Sequence, residues 1–116
     1  MATPFYVTIS YSYEDRAGNL TGDVDEITYY ASDAPGNLQI GASGGNSFLF
    51  MRGPARITDI VSDAAATMKV ITLVVNNVSR NIKVRLPSCI GANLKRVPVP
   101  IRLAQGAMVE WVQSAT

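Results

Sequence analysis

Apolar and polar residues alternate along most of this chain with the two-residue period of β-strands. The cleanest stretch is Phe5–Tyr13. Phe5, Val7, Ile9, Tyr11 and Tyr13 share one face, and Tyr6, Thr8, Ser10 and Ser12 the other. A polar loop with two glycines, Glu14–Gly22, leads to a second strand over Val24–Ala31. Ser32–Asn37 carries Pro-Gly and predicts a turn. Short extended pieces follow at Leu38–Ile40 and Ser47–Met51, separated by the glycine-rich Gly41–Asn46. Ala55–Ser62 predicts a further strand, with Ile57 and Val61 on the face of Asp59 and Ile60 on that of Arg56 and Thr58. Asp63–Thr67 has room for one helical turn at most.

Met68–Leu86 predicts a β-hairpin around which the rest is organised. Its first arm is apolar on both faces, with Met68, Val70 and Val74 on one and Ile71, Leu73 and Val75 on the other. Such a strand is covered on both sides, as the centre of a sheet or at an interface. The second arm points Ile82, Val84 and Leu86 inward and Lys83 and Arg85 outward. Asn76–Ser79 supplies the turn, because Asn tolerates positive φ. Prolines 87, 98 and 100 exclude a central strand from Pro87–Pro100. Extended structure resumes at Ile101–Leu103, turns at Gln105-Gly106, and ends in Ala107–Gln113.

Short strands at this spacing, without an amphipathic helix, predict an all-β fold: one antiparallel β-sandwich domain over residues 1–116, jelly-roll-like. The predicted core includes Val70, Ile71, Leu73, Val75, Ile82, Val84 and Trp111. On the last strand Ala107, Val109 and Trp111 form an apolar inner face. Met108, Glu110 and Val112 form a face that places one carboxylate between two apolar residues. That pattern suits a subunit boundary, at which Glu110 meets an arginine of a neighbour, with Arg56, Arg96 and Arg102 as candidates.

Composition sharpens this picture. Among 116 residues 47% are hydrophobic and 16% charged, a low charge density that favours a partner-covered surface. The net charge of +1 argues against strong non-specific nucleic-acid binding. Six acids fall in residues 1–33 and nine bases in residues 34–116, which fits either solvated acidic loops or a head-to-tail contact between copies. The single cysteine, Cys89, rules out an intrachain disulfide, and no base stands near it to activate a nucleophile. The N-terminal residues lack the pattern of a signal peptide, no stretch has the length of a membrane span, and a cytoplasmic site of synthesis is expected. The two glycosylation sequons, at Asn19 and Asn77, are then chance matches.

The chain contains no histidine. This removes Ser-His-Asp and Cys-His catalysis and imidazole metal ligation, so no enzyme and no cofactor is expected. Asp23-Val24-Asp25-Glu26 offers carboxylates for a hard cation, but without EF-hand spacing it reads as a solvated strand end. Gly41–Asn46 lacks the Gly-Lys-Ser/Thr of a phosphate loop. Lys95-Arg96 with Arg102 is a small basic cluster without interleaved aromatics for base stacking. Tyr6, Tyr11, Tyr13, Tyr29, Tyr30 and Trp111 either line a sugar-binding face or serve as core and interface residues.

Two stretches carry a family likeness. Arg56–Val61 followed by Lys69–Asn77 resembles paired strands of small phage capsid proteins. Val97–Trp111, a proline-led strand, a glycine turn and a last strand, resembles their closing strands. The chain is similar in this to the decoration, or cement, proteins that sit as trimers on icosahedral phage heads. The likeness implies a non-enzymatic virion component, assembled in the host cytoplasm. It would be homotrimeric and bound to the major capsid protein at the capsid surface. The alternative expectation is a sandwich module that recognises a glycan or receptor, in a viral fibre or a lectin-like protein.

Overall fold

The computed structural model describes residues 4–32, 34–63, 69–86 and 101–115, apart from the side chains of Asn81 and Ala115. It consists of strands β1 (Phe5–Glu14), β2 (Leu20–Ala31), β3 (Gly36–Asn37), β4 (Gln39–Ile40), β5 (Phe48–Phe50), β6 (Ala55–Ser62), β7 (Lys69–Val75), β8 (Val78–Arg85), β9 (Ile101–Leu103) and β10 (Met108–Ala115). They form two antiparallel sheets. The front sheet runs β4-β2-β1-β6-β9, and the back sheet β3-β10-β7-β8 with β5 also on β10. After the β1–β2 hairpin every connection changes sheet except the β7–β8 hairpin, a jelly-roll-like alternation. The predicted all-β sandwich is the fold.

One apolar core lies between the sheets. It takes Phe5, Val7, Ile9, Tyr11 and Tyr29 from the front and Ile71, Leu73, Val75, Val84, Val109 and Trp111 from the back. Ile82 packs against it half-buried. Val70 is buried on the other face of β7, outside this cluster. The two-sided apolar strand β7 lies inside the back sheet between β10 and β8, while β8, with exposed Lys83 and Arg85, forms its edge. Charged side chains there discourage pairing with a further strand.

The regular alternation expected for β6 does not hold. Ser10 pairs with Asp59 but Tyr11 with Ile57, so Thr58 is an extra residue, a β-bulge. The bulge turns both Ile57 and Ile60 into the core and leaves Asp59 and Val61 outside. The first hairpin loop is shorter than expected, and β2 starts at Leu20. Asp15 closes the loop through its carboxylate, which accepts the N–H groups of Ala17 and Asn19, each at 2.9 Å. The predicted turn over Ser32–Asn37 contains a two-residue strand, β3, on β10. Leu38 then sits fully buried as the chain crosses to β4. The expectations for Asp33, residues 64–67, Met68, Cys89, Lys95, Arg96 and the rest of 87–100 lie outside the described residues.

The β7–β8 turn is two residues long, not four. Asn76 and Asn77 have φ of 51° and 64°, a type I′ turn whose twist matches the strands it joins. Asn76 also accepts the Met108 N–H at 2.9 Å through its side chain and thereby fixes the start of β10.

Candidate functional site

Residues paired directly across a sheet share a face, so the strand registers define what each sheet presents to solvent. On the back sheet Met108 pairs with Phe50, and Glu110 with Phe48 and Val74. Val112 pairs with Thr72, which in turn pairs with Lys83. The outer face therefore sets Phe48, Phe50, Met108, Val74 and Val112 around one carboxylate, Glu110, with Asn37, Thr72, Lys83 and Arg85 alongside. Leu49 points the other way, against the core.

Phe48 and Phe50 are 39% and 58% exposed, and their rings meet edge to face with centroids 5.4 Å apart. Aromatic rings at this exposure forgo roughly half of the stabilisation of full burial, on the order of 1 kcal/mol each. The sequence reading missed both. The Phe-Leu-Phe alternation inside the short piece Ser47–Met51 was the available signal, but so short a strand does not announce that it pairs with β10.

Met108, Glu110 and Val112 share this outer face, each half-buried. Asn37 on β3 donates its side-chain N–H to the Glu110 carboxylate at 2.9 Å. This hydrogen bond ties the Glu110 carboxylate to the neighbouring strand.

Within one chain, the described arginines expected to meet a neighbouring copy's Glu110 stand on the opposite sheet. Arg56 on β6 and Arg102 on β9 belong to the front sheet, and Arg96 falls outside the described residues. Arg56 donates to Glu14 at 3.1 Å and to the Gly18 carbonyl at 2.6 Å, and Arg102 lies 3.6 Å from the same carboxylate. The Glu14 side chain is only 7% exposed. A carboxylate buried this far must be paired, so the chain uses these two arginines internally. Lys83 and, further along β8, Arg85 share the outer face with Glu110.

The six aromatic residues weighed as a sugar-binding face or as core and interface residues separate into two groups. Tyr11, Tyr13, Tyr29 and Trp111 are buried. Burial pushes the Tyr11 hydroxyl up to about 12, and burial together with the neighbouring Tyr11 carries Tyr29 well above the ordinary tyrosine range. Burial, and the hydrogen bond that Tyr13 donates to Asp25, raise Tyr13 to about 12. Only Tyr6 and Tyr30 remain at the surface, paired on the front sheet with ring centroids 5.6 Å apart.

Asp25, one of the carboxylates weighed as a cation ligand, is occupied by Tyr13 and by Arg52, whose guanidinium lies 3.9 Å above the Tyr13 ring. Among the described residues no group of three or more His, Cys, Asp or Glu side chains is placed to hold a metal. Among the described residues no helix is long and apolar enough to cross a membrane. Comparison of the chain with family models, characterised proteins and solved structures finds no match.

Proposed function

We propose that this protein is a non-catalytic structural subunit that assembles with copies of itself through the outer face of the back sheet. The observation that carries the reading is the pair Phe48–Phe50, exposed beside the apolar side chains of Met108, Val74 and Val112 on the same face. That face also contains its own counter-charge. Glu110 and Lys83 lie on it in the same chain, so two copies can each satisfy the other's charge. Charge pairs of this kind fix orientation more than they add affinity.

The specific form of the reading is a decoration subunit, a homotrimer on the surface of a phage capsid, bound to the major capsid protein. It rests on the likeness of β6–β7 and of the closing strands to small phage capsid proteins. The jelly-roll-like sandwich is compatible with it. A contact of this type needs no metal and no cofactor.

Light scattering on the purified protein tests the reading. A trimer is the expected mass. Phe50→Ser combined with Glu110→Arg is expected to give folded monomers, since one change removes apolar area and the other sets like charges against each other. A wild-type monomer at micromolar concentration would overturn self-assembly through this face.

A further inference from the structure

We propose that the opposite face of the sandwich, on the front sheet, is a binding trench for an uncharged or amino-bearing oligosaccharide, gripped between Glu26 and Asp59. This surface is separate from the assembly face and does not depend on it.

The trench follows from the register. β1 lies at the centre of the front sheet, between β2 and β6, and its outward residues Thr8, Ser10 and Ser12 are small and hydroxylated. The neighbouring strands carry larger side chains. Ser10 pairs with Glu26 on one side and Asp59 on the other, and Thr8 with Thr28 and Val61. Short side chains in the middle and long ones beside them make a groove of about 310 Å³, lined by Thr8, Ser10, Glu26, Asp59 and Val61. Strand spacing sets its walls about 10 Å apart, wide enough for one sugar ring.

Its polar groups are unused. Among the described residues, Glu26, Asp59 and the Ser10 hydroxyl make no hydrogen bond or ion pair, although Ser10 is only 8% exposed. A hydroxyl buried to that degree and facing an open groove is a waiting donor and acceptor. Two carboxylates flanking it accept from hydroxyl or ammonium donors and repel anions. One step further along β1, beyond Thr8, the Tyr6–Tyr30 pair offers an aromatic surface, with Tyr6 44% exposed. Aromatic rings receive the C–H faces of sugars while hydroxyls and carboxylates take their O–H groups. A bare cation would use the carboxylates but leave the hydroxyl floor and the tyrosines without a role. All these groups stand on strands rather than loops, so the geometry is held in advance.

The test is a titration of ¹⁵N-labelled protein with four probes: cellotetraose, the β-1,4-linked glucosamine tetramer, the galacturonic acid tetramer, and spermidine. Cellotetraose and the glucosamine tetramer are expected to shift the amides of Thr8, Ser10, Glu26 and Asp59, with the glucosamine tetramer binding more tightly. The galacturonic acid tetramer is expected to shift none of them. Glu26→Gln with Asp59→Asn keeps shape and removes charge. It is expected to weaken the glucosamine tetramer by roughly tenfold or more, the usual loss when hydrogen bonds to charged groups become neutral. Absence of shifts with both neutral and amino tetramers at millimolar concentration overturns the proposal. So does a response to spermidine without one to cellotetraose, which would mark a simple cation site. Shifts confined to Phe48–Phe50 would place the ligand on the other sheet and overturn it too.

Discussion

The indole N–H of Trp111 donates to the hydroxyl of Tyr11 across the sandwich at 3.1 Å, joining residues one hundred positions apart. Tyr11 in turn shares a 2.7 Å hydrogen bond with Tyr29 on the adjacent strand of its own sheet. All three side chains are fully buried. A polar chain thus crosses the largely apolar core and ties back sheet to front sheet.

Removing the central hydroxyl is the sharpest probe of that chain. Tyr11→Phe keeps the ring but strands the Trp111 N–H and the Tyr29 hydroxyl without this partner. Each buried group left unsatisfied costs about 1–3 kcal/mol. Tyr29→Phe removes only the outer link and is expected to cost less. Urea unfolding of the two variants checks the order.

The same tyrosines predict alkaline sensitivity. Tyr11 is raised to about 12 by burial, and Tyr29 is raised in the same direction. Above the unfolded value of roughly 10, the unfolded chain releases these protons while the folded one keeps them. Stability is therefore full below pH 10 and falls as the pH rises towards 12. The slope is about 1.4 kcal/mol per pH unit for each tyrosine. Denaturation series at pH 8 and pH 11 are expected to differ, and Tyr29→Phe is expected to flatten the difference by one tyrosine's share.

Two ion pairs of this protein are expected to behave oppositely. Glu14 is buried between Arg56 and Arg102, whereas Arg52 and Asp25 are 58% and 38% exposed at their side chains. Glu14→Ala leaves Arg56 half-buried without its carboxylate, and breaking a buried pair costs about 3–5 kcal/mol. Arg52→Ala removes an exposed pair worth about 0–1 kcal/mol, together with a modest stacking contribution over Tyr13. Thermal melts separate the two, and equal losses would mean that Glu14 is not held as the distances indicate.

Much of the fold was legible because it depends on local alternation. Phe5, Val7, Ile9, Tyr11 and Tyr13 all point inward, as their spacing implies, and the two-faced pattern of Lys69–Val75 marks a strand inside a sheet. What alternation does not encode is a register change. The bulge at Thr58 reverses the facing of half of β6, and nothing in Arg-Ile-Thr-Asp-Ile-Val announces it. The site was legible in part for the same reason. Met108, Glu110 and Val112 share a face by spacing alone, but Phe48 and Phe50 reach that face only because β5 pairs with β10, a contact between segments 60 residues apart, as Phe48 and Met108 are. The internal pairing of Arg56 and Arg102 with Glu14 is likewise a tertiary fact.

The β7–β8 turn gives a prediction with opposite signs at neighbouring asparagines. Both adopt positive φ, which costs a residue with a Cβ about 1 kcal/mol more than glycine. Among the described residues no partner is placed on the Asn77 side chain, so Asn77→Gly is expected to stabilise by a few tenths to about 1 kcal/mol. Asn76 uses its side chain to hold the Met108 N–H, so Asn76→Gly gains the same backbone ease but loses that bond, and is expected to be neutral or destabilising. Paired melting curves decide between them.

The bulge at Thr58 is the feature on which core and trench both depend, and deleting one residue tests it. With Thr58 present, Ile57 and Ile60 face inward on either side of the bulge while Asp59 faces the trench opposite Ser10. Without it, β6 must alternate evenly, and one half of the strand turns over. If the first half turns, Ala55 and Ile57 move out and Arg56 moves into the core. If the second half turns, Ile60 and Ser62 move out and Asp59 moves in. Ser62 would then also lose the 3.1 Å bond it donates to the Leu86 carbonyl. Either choice buries a charge without a partner, at several kcal/mol, and exposes an isoleucine worth about 1.5–3 kcal/mol. The sum is comparable with the whole stability of a domain, about 5–15 kcal/mol. The Thr58 deletion is therefore expected to lack a cooperative unfolding transition. Thr58→Ala, which keeps the extra residue and loses only the long hydroxyl contacts to Ser10 and Ser12 at 3.4 and 3.5 Å, is expected to fold with a loss of about 1 kcal/mol or less. A deletion variant that melts cooperatively near wild type would show that β6 tolerates even alternation, and would leave Asp59 without its assigned place opposite Ser10.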